Sequence, residues 1–307
     1  MNAILFPGQG SQIVGMGQEF YNNFDLVKKI FDQADEKLNF KISKLILEGP
    51  ESDLKLTQNT QPAILTVSYS IFNVLKNEFN FNFENTKYFA GHSLGEYSAL
   101  VCSDSLAFKD ALYLLFERGK SMQEAVPVGQ GSMIAVLGSK IDDLSKLIKD
   151  AQVNGVCEIA NDNAEGQTII SGDTESMNSL QKILKSRKKK FIPLNVSAPF
   201  HCSLMKPAAE SMKILLKNII FKNPSSQLIS NVTALPIKED TDVKDLLYKQ
   251  IFSQVRWRES VEYMINNNVN DFVEIGPGKV LSGLIKRTND KVLARSITKI
   301  EDLENIK

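Results

Sequence analysis

The sequence predicts an α/β fold: a mainly parallel sheet covered by helices, with a small ferredoxin-like domain inserted into it. Three observations predict this. Apolar strand patterns alternate with amphipathic helical stretches before residue 127, the arrangement of a parallel sheet flanked by helices. A Pro/Gly-rich junction, "PVGQG" (127–131), then interrupts the alternation. After it the patterns run β-α-β-β-α-β over about 70 residues, the split ferredoxin-like order.

The elements follow in chain order. "NAILF" (2–6) reads as a short apolar strand and "PGQGSQ" (7–12) as a turn-rich loop. In the next stretch, 19–38, Phe24, Val27, Ile30, Phe31 and Leu38 recur at helical spacing. A second helix is expected to start near Gln61-Pro62 and run through "AILTVSYSIFNVLKN". "KYFAG" (87–91) is the next strand, followed by helices at 96–101 and 108–125. In the inserted segment the strands are "SMIAVLG", "CEIAN", "QTIISG" and "KKFIPLNV", and the helices are 141–152 and 174–186. The chain returns at "SAPFHCSL", then gives helices, the strands "QLISN" and "NDFVEIG", and the loop "GPGKV". The expected division is a large domain of 1–127 and 198–307 and a small domain of 128–197.

Composition removes several function classes. The chain has 307 residues, 43% of them hydrophobic, enough to bury a large core. Lys+Arg and Asp+Glu are both 36, so no general attraction to nucleic acid or to an anionic membrane is expected. Cys102, Cys157 and Cys202 are odd in number, widely spaced and without a CxxC pair. That argues against a disulfide framework or a zinc site and favours a reducing compartment. The N-terminus shows no basic or long apolar leader, and no apolar run approaches the ~20 residues of a membrane span. A cytoplasmic, monomeric protein with no metal, membrane or nucleic-acid partner is expected.

The chemistry concentrates in "GHSLGEYS" (91–98). A strand, a sharp turn carrying Ser93 and then a helix is how a chain presents a serine nucleophile, with small residues at 91 and 95 relieving the crowded turn. An ordinary strand-to-helix turn with a capping serine is the other reading. The Leu94 amide, at the start of the helix, is placed to donate toward an oxyanion. A serine hydroxyl needs a base, and the chain has just two histidines, His92 and His201. The His92 side chain leaves the turn on the side opposite Ser93, so His201, in "SAPFHCS", is the candidate base. About a third of the chain follows His201, and the inserted domain separates it from Ser93. That order fits an ordinary esterase badly.

Arg118 falls on the stripe 111, 115, 118, 122 of the 108–125 helix, on its core-facing side. A buried arginine needs an anion, which is either a structural carboxylate or the carboxylate of a substrate near Ser93. "FPGQGSQ" lacks the Lys-Ser/Thr ending of a phosphate loop and does not complete GxGxxG, so nucleotide binding is disfavoured. The basic run Lys185–Lys190 is either a solvated helix end or a docking patch for an acidic partner.

Five motifs in register, "FPGQGSQ", "GHSLGEYSA", "RGKSMQEAVP", "SAPFH" and "FVEIGPGKVLSGL", resemble the malonyl-CoA:acyl carrier protein transacylase family from residue 4 to about 287. The resemblance implies a hydrolase-like α/β core with a ferredoxin-like insertion. It implies that Ser93 is acylated, that His201 is the general base and that Arg118 pairs with the malonyl carboxylate. It further implies that Gln9 and Leu94 supply the oxyanion-hole N–H groups and that the Gln250 backbone carbonyl orients His201. The implied partners are malonyl-CoA and acyl carrier protein in fatty acid synthesis, with coenzyme A entering as a thioester substrate and no cofactor. A polyketide assembly-line acyltransferase, a serine thioesterase or esterase, and a catalytically silent carrier-binding module are the alternatives. Ser132 and "CSDSLAF" depart from the family pattern without touching an implied site residue.

Overall fold

The computed structural model describes residues 1–151, 154–238 and 243–306. Two sheets organise it. The first is five-stranded and wholly parallel, in the order β7-β2-β1-β8-β9, with β1 at Asn2–Phe6, β2 at Thr86–Gly91, β7 at Gln227–Leu228, β8 at Asp271–Ile275 and β9 at Leu293–Ile297. The second comprises β3 (Gly131–Leu137), β4 (Cys157–Ala164), β5 (Gln167–Asp173) and β6 (Lys190–Pro193). It is antiparallel, in the order β4-β5-β3-β6, which is the ferredoxin-like arrangement for a β-α-β-β-α-β segment. The mixed α/β class and both sheet types agree with the sequence pattern.

The apolar runs explain the burial. Ala3 to Phe6 in β1 and Tyr88 to Gly91 in β2 are buried without alternation, as a parallel strand covered on both faces requires. One face packs on the long helix Thr57–Asn77 and the helix Phe108–Glu124 through Phe6, Phe72, Phe89 and Leu115. The other packs on Trp257–Asn266 and Val280–Thr288 through Leu5, Tyr88, Trp257 and Ile285. The small sheet has its own core, built from Ile134, Val136, Leu144, Ile170, Leu180 and Leu184.

Several boundaries differ from the sequence reading. The expected 19–38 helix is two, Gln18–Asn23 and Asp25–Leu38, divided at Phe24, whose backbone is extended at φ −129° and ψ 116°. Phe24 gives up the helical conformation and lays its ring against Phe20 and Phe79. The helix expected at Gln61-Pro62 starts earlier, at Thr57; Pro62 lies one turn inside, where a missing N–H forfeits a single backbone bond. "KKFIPLNV" is strand over Lys190–Pro193, and "QLISN" over Gln227–Leu228. The 141–152 helix is seen as Ile141–Ala151, and Gln152 lies outside the described residues. Among the described residues, no helix is long and apolar enough to cross a membrane.

The two sheets meet around the serine turn. An isolated parallel bridge joins Asn161 of β4 to Val255, and Asp162 forms an ion pair with Arg258 at 2.8 Å. The next residue, Asn163, bonds the His92 ring at 2.9 Å, so the small sheet touches the serine turn directly.

Candidate active site

Strand β2 ends at Gly91 and the helix Leu94–Cys102 begins at Leu94, leaving His92 and Ser93 to make the turn. Ser93 adopts φ 53° and ψ −111°, a conformation that L-residues avoid and that projects the side chain from a tight elbow. The turn closes because two positions have no side chain. A Cβ on Gly91 would lie 2.0 Å from the Gly95 carbonyl, and one on Gly95 would lie 2.2 Å from the Phe6 carbonyl oxygen. Asn231, just beyond β7, ties the turn down: its Oδ1 accepts from the Ser93 N–H at 2.7 Å and its Nδ2 donates to the Gly91 carbonyl at 2.8 Å.

His201 reaches Ser93 from the loop that leaves the small sheet. Its Nε2 lies 2.8 Å from Ser93 Oγ, and its Nδ1 lies 2.9 Å from the Gln250 backbone carbonyl. A carbonyl accepts only, so Nδ1 carries the proton and Nε2 presents its lone pair to the hydroxyl. Like Ser93, His201 sits at positive φ, 58°. Burial, followed by the positive charge of Arg118, pushes its pKa down to about 3, which keeps the imidazole neutral at physiological pH. His92 points elsewhere, to Asn163 and against the Trp257 ring, as its place in the turn predicted.

Arg118 is 1% exposed and its guanidinium faces the serine. Nη2 donates to Ser93 Oγ at 3.1 Å and to Gln250 Oε1 at 2.9 Å, while Nη1 donates to Gln61 Oε1 at 2.7 Å. The Tyr97 ring lies under it at 5.7 Å. Among the described residues, Nε has no hydrogen-bond partner and Arg118 forms no ion pair. The structural-carboxylate reading of Arg118 therefore finds no partner among those residues. Burial lowers its pKa from the ordinary value, yet it remains a cation at neutral pH.

The remaining candidates are Leu94, Gln9 and Gln250. Leu94 is the first residue of its helix, where an N–H has no acceptor in a preceding turn. Gln9 is exposed, in the loop whose start, Phe6-Pro7, packs on the elbow at Gly95; its side chain donates to Thr57 Oγ1 at 3.3 Å. That sets the 7–12 loop against the serine turn, with Gly8 close to the His92 carbonyl. Gln250 is buried, and it contributes more than a backbone carbonyl: its Nε2 donates to the Ser93 carbonyl at 3.0 Å and to Glu96 Oε2 at 2.6 Å. The Lys185–Lys190 run is a largely exposed helix end and turn, with no ion pair among the described residues.

Three members of the cluster were not singled out from the sequence: Glu96, Gln61 and Asn231. Glu96 left one trace, an acid in a stretch that is otherwise small or apolar, "LGEYSALVC", and every residue of that helix is buried. Burial pushes its pKa up to about 7, against the opposing effect of the Gln250 and Asn231 bonds and the Arg118 charge. Gln61 and Asn231 gave no signal apart from their positions in a helix and a strand pattern. Chemically, the cluster offers a hydroxyl held by a neutral imidazole, with a cation at hydrogen-bond distance and little water access. Such a site suits covalent transfer of an acyl group that carries its own negative charge.

Comparisons with known proteins agree. The acyl transferase domain family matches residues 4–303. A Bacillus subtilis protein named malonyl CoA-acyl carrier protein transacylase is 43% identical over 304 residues, 98% of this chain and 95% of the relative. The crystal structure of acyl-carrier-protein-S-malonyltransferase from Bartonella henselae superposes with a TM-score of 0.96 at 40% identity, covering 99% of this chain and 97% of that one. A malonyl-transacylase in complex with a type II PKS acyl-carrier protein superposes with a TM-score of 0.95 at 36% identity, covering 99% and 98%. With a family match over nearly its whole length and this cluster at the serine elbow, the chain belongs to the acyl transferase family and is an acyltransferase.

Proposed function

We propose that this chain transfers the malonyl group of malonyl-CoA to the phosphopantetheine thiol of acyl carrier protein, through a malonyl-Ser93 intermediate and with ping-pong kinetics, to supply fatty acid synthesis. The observation that carries this reading is Arg118, a buried cation without an ion pair among the described residues, 3.1 Å from Ser93 Oγ. A malonyl carboxylate is the anion such a guanidinium lacks, and its planar fork accepts one in bidentate fashion. Acetyl groups offer it nothing. The names of the relatives support the same substrates.

His201 Nε2 takes the Ser93 proton as Oγ attacks the thioester carbonyl. The Gln9 and Leu94 N–H groups hold the oxyanion, each such donor being worth ~3 kcal/mol. The carbon–sulfur bond breaks, and coenzyme A leaves as a thiol with the proton His201 had taken. In the second half His201 deprotonates the phosphopantetheine thiol, the sulfur attacks the ester, and Ser93 recovers its proton. The Gln250 carbonyl holds the imidazole tautomer throughout, the part a third acid plays in other triads. Coenzyme A enters as a thioester, so the reaction needs no metal or cofactor.

Two sheets with separate cores support the division into 1–127 with 198–307 and 128–197. The burial of Cys102, Cys157 and Cys202 and their wide spacing support a reducing, cytoplasmic setting. The test is incubation with labelled malonyl-CoA, followed by a chase with carrier protein. Label is expected on Ser93 and then on the carrier; label that survives Ser93→Ala, or that leaves as free malonate regardless of carrier, would overturn the reading.

A further inference from the structure

The helix Leu94–Cys102 is buried on every side, yet its third residue is Glu96. Among the described residues, the Glu96 carboxylate forms no ion pair. Oε2 accepts from Gln250 Nε2 at 2.6 Å and from the Asn231 N–H at 3.2 Å, and Oε1 has no hydrogen-bond partner among those residues. A buried carboxylate in that state has to be explained by what it does to its neighbours.

We propose that Glu96 is a positioning residue for acyl selection: it fixes the orientation of the Gln250 carboxamide, which in turn holds Arg118 beside Ser93. The inference rests on the malonyl-transfer reading above. An ionised carboxylate only accepts hydrogen bonds and a guanidinium only donates them, and the Gln250 amide lies between the two. Only one amide orientation satisfies both ends, with Nε2 toward Glu96 at 2.6 Å and Oε1 toward Arg118 Nη2 at 2.9 Å. Turned over, the amide would set NH2 against the guanidinium and oxygen against the carboxylate. The Ser93 carbonyl, accepting from the same Nε2 at 3.0 Å, reinforces the choice.

The arrangement has a second consequence. Once ionised, Glu96 sets a negative charge one amide away from Arg118, without sitting on the guanidinium. A direct carboxylate–arginine pair would occupy the face that a malonyl carboxylate needs. Gln250 also gives its backbone carbonyl to His201, so one residue, steered by Glu96, steadies both the selecting cation and the base.

The test is Glu96→Gln, assayed with malonyl-CoA and acetyl-CoA at pH 8. The variant keeps the shape of the side chain and can still accept a hydrogen bond, but it no longer forces the amide one way. Malonyl transfer is expected to fall about tenfold further than acetyl transfer, mainly through KM, as befits one lost bond to a charged group. Equal falls for both acyl groups would make Glu96 merely structural and overturn the inference. Side-chain NMR gives a readout that needs no turnover: the Gln250 carboxamide and Arg118 Nε signals should shift together in Glu96→Gln. An unmoved Arg118 signal would also overturn it. If the unmodified protein formed no malonyl-Ser93, the functional reading would fall, and the NMR result would still decide the positioning role. Should Glu96→Gln not fold, Glu96→Asp is read the same way. It keeps the charge but draws it back from Gln250, so retained malonyl preference in that variant would sink the orientation argument.

Discussion

Ser93 and His201 meet through a 2.8 Å hydrogen bond although both sit at positive φ, 53° and 58°. Neither is a glycine, and such a conformation costs an L-residue roughly 1–3 kcal/mol. Two strained residues in one hydrogen-bonded pair mean that the surrounding contacts, Asn231 on the Ser93 N–H and Gln250 on the His201 ring, hold them there.

That strain can be measured apart from the chemistry. Ser93→Ala and Ser93→Gly both delete the hydroxyl and should both abolish acyl-enzyme formation. Glycine tolerates the backbone conformation and alanine does not. The glycine variant is therefore expected to be the more stable by about 1 kcal/mol, after its greater freedom when unfolded is allowed for. Denaturant titration of the pair decides it; equal stabilities would mean that the elbow is unstrained.

The His201 ring predicts an acid-tolerant reaction. With its pKa pushed down to about 3 by burial and by Arg118, the base stays neutral well below the ordinary value of 6.5. The kcat/KM for acylation should therefore show no His201 limb between pH 5 and pH 8 on the scale set by that shift. His201→Ala should lower it by roughly 10²–10⁴ without removing or adding a limb in that range. An acidic limb near the ordinary histidine value that persists in Glu96→Gln would show that the ring is hydrated and not held as the structure has it.

Arg118 predicts a specificity change. Arg118→Lys keeps a charge but loses the fork that reaches Ser93, Gln61 and Gln250 together. Malonyl transfer should drop roughly 10–100-fold, the scale of one or two bonds to a charged group, with acetyl transfer much less affected. Parallel rates with both acyl-CoA substrates would show that Arg118 supports the fold and does not read the acyl group.

These three residues were legible in the sequence because each leaves a local mark. Ser93 stands in a strand-turn-helix pattern with small flanking residues, His201 is one of just 2 histidines, and Arg118 interrupts an apolar stripe. The residues that hold them left little or none. Glu96 meets Gln250 across 154 positions and Asn231 across 135, and no local periodicity encodes such pairings. The Gln250 side chain is a similar case: its carbonyl was expected at His201, but its amide bonds to Arg118, Ser93 and Glu96 depend on how the whole chain folds. Strand β9, "LARSI", went unseen because Arg295 and Ser296 break the apolar run; Arg295 is paired with Asp271 on the neighbouring strand. The split at Phe24 and the early start at Thr57 were hidden for a related reason, since packing partners far along the chain override local propensity.

Glu96 and His201 together predict how stability depends on pH. His201 falls from 6.5 to about 3 on folding, through burial first and Arg118 second. Between those values the unfolded chain binds the extra proton, so this contribution is complete above pH 6.5 and is lost as pH falls toward 3. Glu96 rises from 4.5 to about 7, chiefly through burial. Here the folded chain binds the extra proton, so the contribution is complete below pH 4.5 and is lost as pH rises through 7. The two slopes oppose each other between 4.5 and 6.5, and only the Glu96 slope remains from there to 7. Glu96→Gln removes that slope and leaves every other titrating group in place. Its stability relative to the parent should therefore climb from pH 4.5 through pH 7 in a series of denaturant titrations, then level off. A constant difference across the series would mean that Glu96 stays ionised throughout, with Arg118 outweighing burial.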